Sequence, residues 1–319
     1  MVRITVTRRI DPDARSVLEN IGDVTMWDSD LPPDPEQLAA MLADADAALT
    51  LLTDRIDGPL LDRCPNLKVV SNLAVGYDNI DVPACTARNV AACTTPNVLT
   101  QTTAELAFTL LLAVARQIIP AADAARNGDW KTWYPFRFLG RDVAGLTLGI
   151  IGLGRIGLAM AKMGLAFGLN VIYTGGQSNN EFREVSLDEL LQTADIVSLH
   201  VPATPATHHL IGRRELAIMK PDAMLINTAR GPVVDTDALV AALHEGRLFG
   251  VGLDVTDPEP LPADHPLYTF ERVTILPHIA SASEATRLQM SDLAAKNIVA
   301  VLEGSEPPHC LNPEVLADA

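Results

Sequence analysis

Two doubly wound, Rossmann-like α/β domains with a cleft between them are predicted from two patterns in the sequence. Short apolar segments alternate with amphipathic helical segments, which is typical of βαβ units and parallel sheets. The series of apolar segments is interrupted by a long helical stretch, 100–117, and starts again after it, so two sheets are expected. A chain of 319 residues, 48% of them hydrophobic, is long enough for two domains of ordinary size.

The first domain is predicted over residues 1–96, with strands in "ITVT", "AALTLL" and "LKVVSNLAV". A helical segment, 283–304, has apolar residues at helical spacing and lies beyond the last predicted strand. We expect it to return to the first domain. Residues 1–96 and 282–319 are therefore predicted to form one substrate-binding domain.

The second domain is predicted over residues 97–281. Its strands are expected in six apolar segments: "LTLGIIGLG", "NVIYT", "DIVSLHVP", "AMLINTA", "LFGVGLDV" and "VTILPHIA". Helical patterns separate these segments, which indicates parallel strands joined by crossover helices.

The composition excludes several classes of protein. The formal net charge of -16 is spread along the chain, which argues against a nucleic-acid-binding or anionic-membrane surface. Four scattered cysteines without C-x-x-C spacing favour a reducing compartment and no metal site. The N-terminus alternates like a strand rather than a signal peptide, and the longest apolar run is too short to span a bilayer. We expect a soluble, cytoplasmic protein.

The glycine motif "GLGRIG" follows one of these predicted strands and precedes a helix. In that context it predicts a dinucleotide site. Gly152 permits the turn, Gly154 lets the backbone approach a pyrophosphate, and Gly157 lets helix and strand pack closely. The helix N-terminus would direct free N–H groups at the anion. A purely structural turn is the alternative, but it accounts for one glycine better than for three.

Polar side chains follow three further predicted strands. They are Arg230 in "NTARG", Asp254 and Glu259 in "GLDVTDPEP", and His278 in "PHIASAS". Ligands of open α/β sheets gather at the carboxyl ends of strands. An arginine can clamp a carboxylate, a histidine can deliver a proton near neutral pH, and a carboxylate can orient that histidine and favour its charged form. These are the groups that reduction of a 2-oxo acid requires.

Each of these residues also has a structural alternative. Arg230 could form a surface ion pair, Glu259 could be a solvated loop acid, and His278 could be a hydrogen-bonded core residue. Three such groups at three strand ends favour a shared site over three separate structural roles.

Almost the whole chain resembles the D-2-hydroxyacid dehydrogenase family, and within it most closely the glyoxylate/hydroxypyruvate reductases. The motifs that carry the resemblance are "NLAVGYDNID", "GIIGLGRIG", "YTGGQ", "INTARGPVVD", "GLDVTDPEPLPADHPL" and "PHIASAS".

The resemblance implies a role for each matched position. Arg230 would bind the substrate carboxylate and carbonyl, His278 would be the general acid, and Glu259 would pair with His278. Asp254 would orient the nicotinamide amide. The backbone of Ala74, Val75 and Gly76 would hold the substrate carboxylate from the other domain. The remaining cofactor-contacting positions implied by the family are Thr103, Arg155, Ile156, Pro202, Thr207, Thr228 and Ala229.

The implied activity is hydride transfer from NAD(P)H to glyoxylate or hydroxypyruvate, giving a 2-hydroxy acid. The alternatives within enzymes are dehydrogenases of 3-phosphoglycerate or another D-2-hydroxy acid, and, ranked lower, oxidation of phosphite or formate. A regulatory nicotinamide-binding protein, like the family's C-terminal-binding co-repressors, is the alternative from another class. We rank it lower because the sequence shows no basic patch and no disordered interaction tail.

The choice of cofactor is expected to depend on "YTGGQSNNEF". NAD-specific sites carry an acidic residue about 20 residues beyond the glycine motif, where it binds the ribose 2'-hydroxyl. Gly175 occupies roughly that position, and Gly176 stands where close reductase relatives often carry an arginine for the 2'-phosphate. We therefore expect use of both cofactors with a modest preference for NADPH, helped by Arg155 or Arg183. We also expect position 176 to accept an arginine, so that Gly176→Arg would strengthen this preference through a charge-assisted contact.

The loop "GDWKTWYPFRFLG" contains two tryptophans, for which packing is the ordinary interpretation. In the resembling reductases the second tryptophan reaches a neighbouring subunit's active site. The resemblance therefore makes Trp133 a candidate substrate-site residue and predicts a homodimer.

Overall fold

The computed structural model describes residues 1–317. The chain folds into two compact units, one formed by Met1–Leu99 together with the chain from Ala282 onward, the other by Thr100–Ser281. Each unit contains a sheet in which every strand pair is parallel, with helices in the connections. The predicted α/β class with two parallel sheets is confirmed.

The first unit has a five-stranded sheet in the order β2-β1-β3-β4-β5. Its strands are β1 (Arg3–Val6), β2 (Asp23–Met26), β3 (Ala47–Thr50), β4 (Val69–Asn72) and β5 (Ala91–Cys93). Its helices within the first 99 residues are α1 (Pro12–Glu19), α2 (Pro35–Leu42), α3 (Gly58–Leu61) and α4 (Val82–Thr86). Strands β3, β4 and β5 are buried along their whole length.

The four helices α1 to α4 begin in the same way. An aspartate precedes each one, and its side chain accepts backbone N–H groups of the first turn; the caps are Asp11, Asp34, Asp57 and Asp81. A proline follows in the first two helical positions of each helix. An aspartate cap satisfies N–H groups that the helix leaves free, and proline fits where no N–H is needed. The local sequence therefore sets where each helix starts.

The second unit carries a seven-stranded sheet in the order β12-β11-β10-β9-β6-β7-β8. Its strands are β6 (Thr147–Leu153), β7 (Asn170–Gly176), β8 (Arg183–Glu184), β9 (Ile196–Leu199), β10 (Met224–Asn227), β11 (Gly250–Leu253) and β12 (Val273–Ile275). Its helices are α5 (Thr100–Ala115), α6 (Ile118–Arg126), α7 (Arg155–Ala166), α8 (Leu187–Thr193), α9 (Arg213–Ile218) and α10 (Thr236–His244), with 3-10 turns at Gly231–Val233 and Pro266–Thr269.

The strand order of the second unit reverses beside β6. The chain runs from β6 to β7 on one side of it, and β9 returns to pair with β6 on the other side. This is a topological switch point, where ligands of open α/β sheets bind outside the carboxyl ends of the strands. The fold therefore places a ligand site where the glycine motif leaves β6.

Helix α5 packs closely on the second sheet. A Cβ atom on Gly250 would lie 2.6 Å from Cγ1 of Val114, and one on Gly252 would lie 2.6 Å from Cγ of Leu110. Glycines in β11 thus allow the helix to approach the strand, and the contacting leucine and valine are buried. Within residues 1–317 no single helix is long and apolar enough to cross a membrane; only α5 and α6 together meet that length and composition, and they are bent by 67°.

The last long helix, α11 (Glu284–Leu302), belongs to the first unit. Its buried Asn297 donates hydrogen bonds to Oγ of Ser71, at 3.4 Å, and to the backbone oxygen of Thr94, at 3.0 Å. The chain then continues to a 3-10 turn at Pro313–Leu316. The amide of Asn297 thereby ties α11 to the carboxyl ends of β4 and β5.

Candidate active site

The glycine motif forms a tight turn at the switch point. Gly152 has a φ of +95°, a conformation that side chains rarely adopt. A Cβ on Gly152 would also lie 2.8 Å from Cγ1 of Val201 and 2.9 Å from the backbone of His200. Both the left-handed backbone and the close approach of the loop after β9 require glycine here.

The other two glycines of the motif differ from each other in their surroundings. A Cβ on Gly154 would meet no atom within 4 Å, so the space next to this backbone is open. A Cβ on Gly157 would lie 2.3 Å from the carbonyl oxygen of Gly152. Gly157 therefore serves the packing of α7 against the turn, whereas Gly154 leaves room beside the helix start.

Helix α7 begins without a side-chain cap. Its first residue is the exposed Arg155, and no side chain accepts a hydrogen bond from the first-turn N–H groups at the Gly154 cap. Such a helix N-terminus binds anions through its N–H groups and its dipole. Ile156, also in the first turn, is half-buried.

The end of β7 carries Gly175 and Gly176, both with positive φ, +67° and +96°. A side chain on Gly175 would enter open space, but a Cβ on Gly176 would lie 2.5 Å from the backbone nitrogen of Leu153. Glycine at 176 is therefore required by the close approach of β6. An arginine at 176 does not fit this backbone, which corrects the expectation that this position could simply accept one.

The loops after β9 and β10 carry the next predicted cofactor positions. The hydroxyl of Thr207 donates a 2.6 Å hydrogen bond to the backbone oxygen of Pro202 and accepts one from the N–H of Thr204, which closes that loop. Thr228 follows β10 and is 8% exposed, and its hydroxyl has no hydrogen-bond partner among residues 1–317. Ala229, next in the chain, is half-buried. A buried hydroxyl without a partner costs free energy unless a ligand or water bonds to it.

His278 and Glu259 form the central pair of the site. Nδ1 of His278 lies 2.6 Å from Oε1 of Glu259, and both side chains are about two-thirds or more buried, with exposures of 24% and 35%. Burial alone would raise the pKa of Glu259, but the hydrogen bond from His278, its charge, the N–H of Thr256 and the charge of Arg230 outweigh it and hold the pKa below its ordinary value. Glu259 therefore carries a negative charge next to His278 at neutral pH.

Asp254 holds the loop on which His278 lies. Its backbone oxygen accepts from the N–H of His278 at 2.9 Å. Its two carboxylate oxygens accept from the N–H groups of Ile279 and Ala280, both at 2.8 Å. His278 has a φ of +54°, so these three bonds stabilise a backbone conformation that a histidine seldom adopts.

Asp254 is fully buried. Burial raises the pKa of its carboxyl group above the ordinary value, although the two backbone N–H donors oppose that rise. The sequence predicted Asp254 as a cofactor contact but did not predict that it positions His278. The only signal was its place directly after a strand, which does not reveal a partner 25 residues away.

Arg230 follows β10, the neighbour of β11 in the sheet. Its side chain is half-buried, and Nη1 donates a 2.9 Å hydrogen bond to the backbone oxygen of Ala229. Its charge contributes to the low pKa of Glu259. The structure therefore brings Arg230, Glu259 and His278 together at the ends of β10, β11 and β12.

Gly231 fixes the spacing between the arginine loop and the acid loop. A Cβ at this position would lie 1.9 Å from the backbone oxygen of Thr256. Thr256 in turn donates its N–H to Oε2 of Glu259 at 3.3 Å. Gly231 was not predicted from the sequence, because its necessity depends on a segment that is distant in the chain.

The remaining predicted site residues are carried by other elements of the chain. Thr103 is buried on α5 of the second unit, and Trp133 lies in an irregular segment with its side chain 81% exposed. Ala74, Val75 and Gly76 follow β4 in the first unit, and among residues 1–317 the N–H groups of Val75 and Gly76 have no acceptor. Their roles in binding stay predictions.

The second unit fits a dinucleotide. The uncapped start of α7, the open space at Gly154 and the unpartnered hydroxyl of Thr228 offer N–H and O–H groups at neighbouring strand ends. No group of three or more His, Cys, Asp or Glu side chains within residues 1–317 is placed to hold a metal ion. Fold and site together define a dinucleotide-dependent oxidoreductase.

Comparison with known proteins places the chain within that class. The model for the NAD binding domain of D-isomer specific 2-hydroxyacid dehydrogenases matches residues 108–280. A glyoxylate reductase of Aeropyrum pernix is 45% identical over 98% of this chain and 97% of its own length. The chain belongs to the D-isomer specific 2-hydroxyacid dehydrogenase family, as the sequence motifs predicted.

Solved structures agree with this assignment. A Thermus thermophilus protein superposes with a TM-score of 0.94 at 46% identity, covering 97% of this chain and 100% of that one. The NADPH-dependent glyoxylate/hydroxypyruvate reductase of Sinorhizobium meliloti, solved with NADP and malonate, gives a TM-score of 0.87 at 33% identity, covering 97% of this chain and 96% of that one.

Proposed function

We propose that this enzyme reduces small 2-oxo acids, glyoxylate and hydroxypyruvate, to the corresponding 2-hydroxy acids with NADPH or NADH. The observation that carries the proposal is the 2.6 Å pair of His278 and Glu259 with Arg230 at the end of the adjacent strand. Glyoxylate reductases among the relatives support the choice of substrate.

Each group at the site has a separate role in the proposed reaction. The bound nicotinamide supplies the hydride that reduces C2 of the substrate. Arg230 binds the substrate carboxylate through charge-assisted hydrogen bonds. Because Nδ1 of His278 faces Glu259, Nε2 is the atom that donates a proton to the carbonyl oxygen. In the reverse direction, neutral His278 accepts the hydroxyl proton at the same atom.

The substrate carboxylate has a second set of candidate donors. The N–H groups of Val75 and Gly76 lie in a half-buried loop and have no acceptor among residues 1–317. Consecutive N–H groups of this kind bind anions. Their assignment to the substrate rests on the resemblance to the family.

The activity is tested by incubating the enzyme with a panel of 2-oxo acids and either NADPH or NADH. Turnover is measured as the loss of absorbance of the reduced nicotinamide. His278→Ala should lower kcat about 100-fold or more with cofactor affinity unchanged, because proton donation matters only in the transition state. Arg230→Ala should lower kcat/KM at least about tenfold through loss of a charged clamp. Matched controls are His244→Ala at the end of α10 and Arg213→Ala on the exposed start of α9.

Two results would contradict the proposal. Near-normal kcat/KM in His278→Ala or Arg230→Ala would mean that the site is assigned to the wrong residues. Cofactor binding without turnover of any 2-oxo acid would favour a nicotinamide-binding regulatory protein instead.

The enzyme is further proposed to use both cofactors, with a modest preference for NADPH. Gly175 offers no carboxylate to repel a 2'-phosphate, and the space beside it is open. Arg183 is paired with Glu189, which leaves the exposed Arg155 at the start of α7 as the positive charge for a phosphate.

A homodimer is the proposed assembly. Trp130, Trp133 and Phe136 expose 73%, 81% and 82% of their surface within one short segment. Clustered exposed aromatic residues are typical of protein interaction sites. In this assembly Trp133 would contact substrate bound to the partner subunit, as the resemblance to the reductases implies.

A further inference from the structure

Two of the four cysteines face each other in the first unit. Cys93 is the last residue of β5, and Cys310 pairs with it across an isolated antiparallel bridge. The flanking N–H of Leu311 donates to the backbone oxygen of Ala92 at 2.8 Å. This bond joins the residue before Cys93 to the residue after Cys310. Cys93 and Cys310 are therefore a non-hydrogen-bonded antiparallel pair, in which Cα atoms are about 4.5 Å apart. A disulfide accepts Cα separations of about 4.4–6.8 Å, so the backbone already has a suitable spacing.

The segment around Cys310 is held on both sides. Oδ1 of Asn312 accepts from the N–H of Ala92 at 2.8 Å, and Nδ2 of Asn312 donates to the backbone oxygen of Val90 at 2.9 Å. Before Cys310, the N–H of His309 donates to Oδ1 of Asn297 at 3.0 Å. Side-chain amides therefore fix the position of Cys310 against β5 without a covalent bond.

The two thiols differ in exposure and acidity. Cys93 is completely buried, whereas Cys310 is only partly buried. The hydrogen bond from the Cys93 thiol, together with the backbone N–H groups of Asn312 and Ala92, lowers the pKa of Cys310 to about 7. The same interaction and burial raise the pKa of Cys93. An accessible, acidic thiol beside a buried partner is the arrangement of redox-sensing cysteine pairs.

We propose that Cys310 and Cys93 form a reversible thiol–disulfide site that responds to peroxide. The Cys310 thiolate attacks one oxygen of hydrogen peroxide, the O–O bond breaks, and hydroxide leaves to become water, giving a sulfenic acid. The sulfur of Cys93 then attacks Sγ of Cys310, the S–O bond breaks, and a second water leaves. Two thiols are oxidised to one disulfide while one peroxide is reduced to two waters, and a dithiol reductant reverses the change.

The disulfide would covalently attach the 309–312 segment to β5. Residues 93 and 310 are far apart in the sequence, and closing a long loop restricts the unfolded chain strongly. The oxidised protein should therefore unfold at a higher temperature than the reduced protein.

The test uses the full-length reduced protein treated with hydrogen peroxide, then alkylated and mapped by mass spectrometry. We expect loss of two hydrogens, a cross-link joining the peptides that contain Cys93 and Cys310, and reversal by dithiothreitol. Cys93→Ser should stop at a sulfenic acid on Cys310 that dimedone traps. Cys310→Ser should leave Cys93 reduced. Cys64→Ser/Cys85→Ser is the matched control and should form the cross-link like the wild type, because burial raises the pKa of both those thiols.

The proposal fails if both Cys93 and Cys310 are alkylated after peroxide treatment, or if Cys64 or Cys85 reacts before them. The wild-type peptide map and melting curve decide this even where a variant does not fold. Neither readout depends on the proposed substrate.

Discussion

At the scale of single residues, we expect the charge on Glu259 to support His278 as the proton donor, because Oε1 of Glu259 lies 2.6 Å from Nδ1 of His278. Glu259→Gln removes the negative partner that favours protonated His278. The alkaline limb of the reduction profile should therefore move to lower pH. The measurement is kcat/KM for glyoxylate against pH, with Glu245→Gln on the exposed end of α10 as control. An unmoved limb would show that Glu259 does not govern proton donation.

The same carboxylate has a consequence for stability. Because folding lowers the pKa of Glu259, its ionised form stabilises the native state above the ordinary glutamate pKa of about 4.3. This contribution is lost as the pH falls through the lower, folded-state pKa.

Gly175 is the residue at which cofactor choice can be altered with least disturbance. Its φ of +67° is tolerated by aspartate and asparagine better than by other side chains, and a side chain there meets open space. Gly175→Asp should shift the ratio of kcat/KM for NADPH to that for NADH on the order of tenfold towards NADH, since a charged hydrogen bond to the ribose is gained and a 2'-phosphate is repelled.

Gly175→Asn is the matched control for that experiment, because it has the same size and backbone preference without the charge. It should leave the ratio near that of the wild type. Equal shifts in both variants would show that shape rather than charge acts here, and no response in Gly175→Asp would place the choice of cofactor elsewhere.

At the scale of elements, two glycines at the start of α7 are expected to have different roles, one in cofactor binding and the other in packing. Gly154→Ala should fold with wild-type stability but weaken cofactor binding, because its methyl group enters open space beside the helix N-terminus. Gly157→Ala should lower the free energy of unfolding by about 1–3 kcal/mol, because its methyl group meets the oxygen of Gly152. Calorimetric cofactor titration and thermal unfolding measure the two effects. Equal stability loss in both variants would contradict this division.

Nine of the twelve strands within residues 1–317 could be predicted, because each is a short apolar run between helical segments. The three that were missed lack that signal. Strand β2 alternates between exposed and half-buried residues at the sheet edge, β8 consists of the charged pair Arg183 and Glu184, and β5 is three small residues, Ala91–Cys93. Tertiary pairing, not local hydrophobicity, makes these segments strands.

The candidate site also contains residues that the sequence predicts and contacts that it does not predict. Arg230, Glu259 and His278 were predicted because each follows a strand, and the structure places them together. The positioning contacts of Asp254 and Gly231 were not predicted, because they join loops far apart in the sequence. The position of a residue after a strand predicts the edge of the sheet at which its side chain lies. It does not predict which backbone groups hold that side chain in place.

At the scale of the whole molecule, assembly should determine activity. Sedimentation or light scattering should show a dimer. Trp133→Ala should lower kcat/KM on the order of tenfold with unfolding temperature unchanged, because the side chain is exposed within one subunit and is proposed to anchor the interface with the partner subunit. Trp130→Ala, in the same segment, is the control and should retain activity wherever the dimer persists. A monomer with full activity would show that Trp133 has no cross-subunit role.

The contact at Gly231 bears on how this enzyme could be redesigned. Its backbone meets that of Thr256 with no room for a side chain, so the segments that carry Arg230 and Glu259 share one closely fitted boundary. If only one of the two segments were taken from a homologue, its backbone would be fitted to the homologue's other segment and not to the one in this enzyme. Altered substrate scope is therefore best sought by exchanging residues 228–231 and 254–260 together as one module.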